Sequence, residues 1–356
     1  MTIELTWPQI LSWRLDRQFV SAADAPDAVA VARRLCGVQA QVASAARLAV
    51  AVRGASGVEE ALWERRELVK TWVMRGTLHL VPADTLADYC SALCAYRAWE
   101  KGAWQRGHGV TAAEIDKIIE AVPRALSGRV LTREELVEAV VEVTADAHLR
   151  EALSSGWGAL LKPLSRLGEL CYGPPRDGKV TFASPRDWVP GWPAELPDCT
   201  EAGVRLARAF LGAHGPASAE MFGSWLFGAG VAKPAVKSWF RALAPELTEV
   251  EAGGRPLLAL TADLDSLAAT PVSEAVHLLP GFDQYILGAP RDLEPLIPAG
   301  AKAKVSRQAG WISPVVVYRG RVAGVWEGKD GEIVTDLFED VPADSLERAV
   351  ARLRAL

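Results

Sequence analysis

LTREELVEAVVEV, running from Leu131 to Val143, decides how the chain is read. Thr132 and Glu135 precede an apolar run at the spacing of a capping box, in which the threonine hydroxyl accepts from a first-turn N–H and the glutamate reaches back to the cap. A helix is therefore predicted to start there. The next stretch, SSGWGALLKPLSRLG (Ser154–Gly168), reads as a further helix, kinked at Pro163 and ended by Gly168. ELCYGPPRDGKVTFAS (Glu169–Ser184) then offers two β-rich runs around a Pro/Gly turn.

The same order recurs on either side. Towards the N-terminus, Pro26–Cys36 has a helical pattern with its proline expected in the first turn, Val58–Glu67 is another helix, and LVKTWVMRGTLHLVP gives two strands hinged at Arg75-Gly76. Towards the C-terminus, Ala217–Phe227 and Lys233–Leu243 read as helices and ELTEVEAGGRPLLALT as a hairpin turning at Gly253-Gly254. Helix, helix, hairpin is the order of a winged helix, which offers a late helix to a DNA groove and its hairpin to the backbone. The final part differs: PVVVYRGRVAGVWEGKDGEIVTDLFE alternates β-rich runs with turns at Arg319-Gly320 and Asp330-Gly331, and Ala343–Leu356 closes as a helix. The expected class is α+β, with winged-helix units in blocks 1–100, 101–190 and 191–270 and an antiparallel β meander with a basic hairpin in 271–356.

Composition narrows the function. Half of the 356 residues are apolar and 23% are charged, which fits packed domains and argues against disorder. No apolar run reaches the roughly 18–20 residues of a membrane span, and MTIELTWPQILSWRLDRQFV lacks a basic start and an unbroken apolar core, so a cytoplasmic protein is expected. The five cysteines are odd in number and scattered, which suggests reduced thiols; Cys90 and Cys94 share a helical face, and packing explains them better than a metal. Net charge is −5, yet 297–324 holds Lys302, Lys304, Arg307, Arg319 and Arg321 and no acid, so an electropositive surface is expected there.

GVQAQVASAARLAVAVR (Gly37–Arg53) raises a chemical question. On a helix, residues two apart point about 200° from each other, whereas an extended segment puts them on one side. Gly37 offers an end to the preceding helix, so Val38–Gln41 reads as a short irregular segment whose two amides, Gln39 and Gln41, face one pocket. An amide is no strong base, but it orients water, which suffices when the leaving group is already activated. Release of a cationic N7-alkylated purine is such a case, because the base departs neutral and leaves an oxocarbenium-like sugar. The same pair also fits a structural role, each amide bonding to nearby backbone.

GVQAQ, VMRGTLHLV, LLPGFDQYILG and GWISPVVVYRGRVAGVW, in this order from about Trp7 to Leu337, resemble the winged-helix alkylpurine DNA glycosylases. Gln39 and Gln41 match the Gln-x-Gln form of that family's catalytic motif, the branch associated with azinomycin self-resistance, rather than the Gln-x-Asp form. The resemblance implies tandem winged helices in a C-shaped array, no cofactor or metal, and excision of bulky N7-purine adducts, including interstrand crosslinks, by a monofunctional enzyme. It implies double-stranded DNA with alkylated purines as the partner of a monomer, without membrane attachment, in the cytoplasm near the nucleoid.

Within VMRGTLH, strand alternation would put Thr77 and His79 on one face with Arg75 at the turn, suited to a phosphate and a flipped nucleotide; His79 reads equally as a half-buried core histidine. Asp283 is read as a helix cap, an arginine's partner or a catalytic group. Arg319 and Arg321 flank Gly320, so the hairpin is expected to project two guanidinium groups towards a groove, with a solvated turn as the plain alternative. Lys302, Lys304 and Arg307 are assigned to the same DNA surface. Of the 13 tryptophans, Trp13, Trp72, Trp104, Trp157, Trp225 and Trp239 are assigned to the interior. A winged-helix regulator without catalysis, and a protein that sequesters a genotoxin, are the competing functions.

Overall fold

A computed structural model describes residues 3–154 and 158–356. The chain forms two compact units, one of Met1–Val58 with Leu206–Leu356 and one of Glu59–Arg205.

In the first unit, Leu247–Ala252 and Arg255–Leu260 pair as an antiparallel hairpin, and Ile3–Leu5 adds to it in parallel, Leu5 opposite Ala252. The helix Trp7–Arg17 begins at Thr6, whose hydroxyl accepts from the Gln9 N–H, and its Pro8 falls in the first turn, where no N–H is needed. Ile10 and Trp13 pack beneath the sheet against Val250, Leu257 and Leu267. The helices Ala219–Leu226 and Lys233–Leu243 meet through Phe222, whose ring stands edge-on to Trp239 at 6.2 Å.

A second sheet in this unit is antiparallel throughout, in the order Val276–Leu279, Val315–Tyr318, Arg321–Lys329, Glu332–Leu337. The closing helix Ala343–Arg354 covers one face, with Ala349, Val350 and Leu353 against Val276, Leu278 and Val316. The meander was legible in the sequence; its first strand, Val276–Leu279, was not, because a four-residue apolar run carries no period of its own.

The second unit pairs Leu68–Trp72 with Leu78–Pro82, and Cys171–Arg176 with Lys179–Ala183, to which Leu131–Thr132 adds. The capping box is present: Thr132 Oγ1 accepts from the Glu135 N–H and the Thr132 N–H donates to Glu135 Oε2 at 2.8 Å, opening the helix Arg133–Thr144. Ala112–Leu126 packs beside it on a core in which Trp72, Tyr172 and Phe182 form an aromatic cluster, Tyr172 edge-on to both neighbours at 5.0 Å.

Three local expectations change. Pro163 opens the short helix Lys162–Arg166 instead of kinking a longer one, since a missing N–H is harmless only in the first turn. Pro26 lies outside its helix: Asp27 is the cap of Ala28–Arg34, its carboxylate accepting from the Ala30 N–H at 2.7 Å. Val58–Glu67 is helical over a shorter stretch, with a wide π-type turn at Glu60–Glu64. Trp13, Trp72, Trp225 and Trp239 are buried and Trp104 is half-buried against His108, while Trp157 lies outside the described residues.

Candidate active site

The helix Ala28–Arg34 ends in a Schellman motif. The Gly37 N–H donates to Ala32 O at 2.7 Å and the Cys36 N–H to Arg33 O at 3.2 Å. The left-handed residue at the turn is Cys36, at φ 57°, with Gly37 following at φ 105°. This sharp exit throws the chain into the extended pair Val38–Gln39, and the next helix, Ala43–Ala51, starts only at Ala43.

The two glutamines therefore converge. Gln39 Nε2 donates to Gln41 Oε1 at 2.7 Å, and the Gln41 N–H donates to Gln39 Oε1 at 3.3 Å. Gln39 is buried, whereas Gln41 is exposed. The two bonds fix both amide orientations yet leave donors and lone pairs of the Gln41 amide for a further group. Gln39 thus bonds to nearby backbone through Oε1, as the structural reading expected, and holds the Gln41 amide through Nε2.

The support behind this segment is polar and buried. Arg53 and Asp283 form a two-point ion pair with both bonds at 2.8 Å and both side chains 0% exposed. Arg53 also donates to Ala49 O and Gln18 O, and Asp283 caps the helix Gln284–Leu287 through the Tyr285 N–H. Asp283 is thus both a cap and the partner of an arginine. Gln18 Nε2 donates to His214 Nδ1 at 3.2 Å, and His214 Nε2–H donates to Leu35 O at 3.2 Å, holding the helix end from which the glutamine segment leaves. Burial pushes the His214 pKa down to about 3, so the ring is neutral and can accept and donate at once. Gly288 lies against this ring so closely that a Cβ there would sit 2.1 Å from Nδ1.

Arg75, Thr77 and His79 lie in the second unit. Arg75 holds φ 54° at the hinge, as the Arg-Gly signal suggested. Thr77 precedes its strand, and its hydroxyl donates to Met74 O at 3.0 Å. His79 is 0% exposed, donates from Nδ1 to Thr77 O at 3.0 Å, and is held neutral by burial, its pKa lowered to about 3. The ring is more deeply buried than the half-buried core reading expected, and its Nε2 has no hydrogen-bond partner among the described residues.

The basic stretch is less positive than its letters. Arg319 pairs with Glu274 at 2.8 Å, Lys304 with Asp336 at 2.6 Å and Arg321 with Glu339 at 3.3 Å, the acids coming from segments outside 297–324. The hairpin tip does not project. A Cβ on Gly320 would lie 2.4 Å from Leu11 Cβ, and Tyr285 Oη donates to Gly320 O at 2.5 Å, so the turn is seated on the helix Trp7–Arg17. Lys302 and Arg307 are exposed.

Residues 32–355 match the family model described as DNA glycosylase AlkZ-like. The chain belongs to this family. An interstrand DNA cross-link repair glycosylase of Streptomyces sahachiroi is 42% identical over an alignment of 359 positions, which covers 99% of this chain and 96% of that protein. The solved structure of the Streptomyces sahachiroi DNA glycosylase AlkZ matches with a TM-score of 0.92 at 41% identity, covering 99% of this chain and 98% of that one. The AlkZ-like chain is accordingly a DNA glycosylase, an enzyme that excises damaged bases, and the regulator reading falls. Among its described residues no helix is long and apolar enough to cross a membrane.

Proposed function

We propose that this DNA glycosylase excises N7-alkylated purines, including bulky adducts and interstrand crosslinks, by water attack at C1′, with Gln39 and Gln41 positioning the water. One observation carries the reading: an exposed amide, Gln41, is oriented by a buried one through a 2.7 Å bond. Neither group takes a proton strongly, so the pair suits a substrate that needs none removed before its base departs. A cationic N7-alkylpurine leaves neutral and places positive charge on the sugar, which amide oxygens stabilise. The name of the Streptomyces sahachiroi relative favours crosslinks as substrates. No lysine stands in the Gln-x-Gln segment, which favours simple hydrolysis over a lyase step.

The helix–hairpin blocks serve as tandem winged-helix units on double-stranded DNA, bound by a monomer in the cytoplasm. Exposed Lys302 and Arg307 contact phosphates, joined by Arg75 and by Lys304, Arg319 and Arg321 where phosphate displaces their acidic partners. The test is incubation with duplexes carrying N7-methylguanine or an N7-linked bulky adduct, scored for free base and abasic sites. Gln39→Ala and Gln41→Ala should retain DNA binding and lose base release; unchanged excision by both removes the pair from the mechanism.

A further inference from the structure

The short helix Lys162–Arg166 of the second unit spends one side in the core: Leu161 and Leu164 are buried, and the Cys90 and Cys94 thiols donate to Ser165 O at 3.3 Å and Arg166 O at 3.2 Å. Lys162 and Arg166, four positions apart, share another face, and both are half-buried. They meet the Arg75-Gly76 hinge. A Cβ on Gly76 would lie 3.9 Å from Lys162 Nζ and 3.9 Å from Arg166 Nη2, with Lys162 Cδ at 3.7 Å. Two cations thus converge over a bare stretch of backbone.

No acid answers them. Among the described residues neither forms an ion pair, and the one bond between them is from Arg166 Nη1 to Tyr96 O at 3.3 Å. Elsewhere in this unit Arg150, Arg176, Lys179 and Arg205 each have a carboxylate partner, from Glu138, Glu135, Glu134 and Asp88. Burial lowers the pKa of both Lys162 and Arg166, and the Arg166 charge lowers that of Lys162 further. Like charges at this spacing oppose the helix that carries them. The backbone beneath is fixed: Arg75 and Gly76 hold φ 54° and 66°, the Gly76 N–H donates to Val73 O at 2.9 Å and the Thr77 N–H to Met74 O at 3.1 Å. Two half-buried cations that repel each other, over a rigid turn kept open by a glycine, are preorganised for an anion from outside the chain.

We propose that Lys162, Arg166 and the bare backbone at Gly76 bind one phosphodiester group of the substrate DNA. The proposal rests on the reading of double-stranded DNA as the substrate, and it gives the second unit a backbone contact separate in sequence from the basic stretch 297–324. The chemistry selects the occupant. A phosphodiester carries its charge on two non-bridging oxygens, so one can take the guanidinium fork while the other meets the ammonium. A base edge brings no charge and would leave both cations unanswered.

The experiment follows binding of a duplex with N7-methylguanine on a 2′-fluorinated sugar, by fluorescence anisotropy across a salt series. Lys162→Gln with Arg166→Gln should make the slope of log affinity against log salt shallower by about 0.9 and weaken binding about eightfold at about 0.1 M salt, the counterion-release value for one phosphate. Lys162→Arg with Arg166→Lys, which keeps both charges, should retain the wild-type slope. A change of about 1.8 would mean two phosphates and overturn the shared site. A lowered urea midpoint with the wild-type slope would make the pair structural and overturn the proposal. So would inorganic phosphate that stabilises the wild type but not the double glutamine variant while the slope stays unchanged, because the site would then serve a small phosphate ester. On the same duplex with a natural sugar, a slope change without base release by the wild type would uphold the phosphate site and refute the excision reading; base release with an unchanged slope would do the reverse.

Discussion

Two polar pairs in the first unit show how differently the same kind of bond is used. Arg53 and Asp283 are 230 positions apart, 0% exposed and joined at two points, with further bonds to Ala49 O, Gln18 O and the Tyr285 N–H. Gln39 and Gln41 are two positions apart and joined at 2.7 Å, and one of them stands in solvent. The first pair spends four guanidinium N–H bonds and three carboxylate acceptor positions inside the protein and carries charge that would be costly to leave alone. The second retains capacity and carries no charge. A cluster that holds the fold and one that meets a substrate thus differ in what they leave unsatisfied.

The largest effect is expected from breaking the first pair. Asp283→Ala strands a buried guanidinium and should destabilise the protein by about 3–5 kcal/mol, read as a fall in the urea midpoint, while Arg53→Met with Asp283→Leu restores much of the loss. A single mutant as stable as wild type would show that the pair is not what holds this region. The opposite signature is expected of the second pair. Gln39→Ala or Gln41→Ala should lower single-turnover excision by about 100-fold, or roughly 2.7 kcal/mol of barrier, with the unfolding midpoint little changed.

Acid should separate the two again. The His79 and His214 pKa values are lowered to about 3, and that of His277 to about 4, in each case chiefly by burial. Below pH about 6.5 the unfolded chain takes up protons that the folded chain refuses, so stability present above that pH is lost as pH falls towards the folded values. Each buried ring contributes about 1.4 kcal/mol per pH unit in that window, so at pH 5 His214 alone accounts for roughly 2 kcal/mol. Chemical denaturation at pH 7.5 and pH 5 should show the loss, and His214→Gln should reduce it by the share of one ring, about 2 kcal/mol. The excision step, having no titrating group in the glutamine pair, should stay level from pH 6 to pH 8. The smallest effect belongs to the surface: Glu274→Gln, which frees Arg319, should leave folding unchanged and tighten duplex binding about two- to threefold at low salt, a gain that vanishes as salt is raised.

Much of the local structure was legible because its causes are local. Thr132 and Glu135 start their helix through bonds three residues long, and the turns at Gly253-Gly254 and Arg319-Gly320 need only residues that tolerate positive φ. The convergence of Gln39 and Gln41 also followed from spacing, once the helix was seen to end before them. What was not legible shares one origin. Arg319 and Arg321 were read from their neighbours in sequence, whereas Glu274 and Glu339 reach them through the fold. His79 was placed by strand alternation, which says which side a residue faces but not whether that side is covered.

Spacing and residue chemistry alone therefore determined the helix–hairpin order, the short extended segment and the amide pair, since each depends on contacts within a few residues. Tertiary structure decided which charges are spent in ion pairs, that the Arg319-Gly320 turn is seated on a helix, and that Trp311 shares a cleft with Val42 and Phe282. Those outcomes depend on burial and on partners up to hundreds of positions away, and the free energy of a polar or aromatic group is set by what surrounds it rather than by what precedes it in the chain.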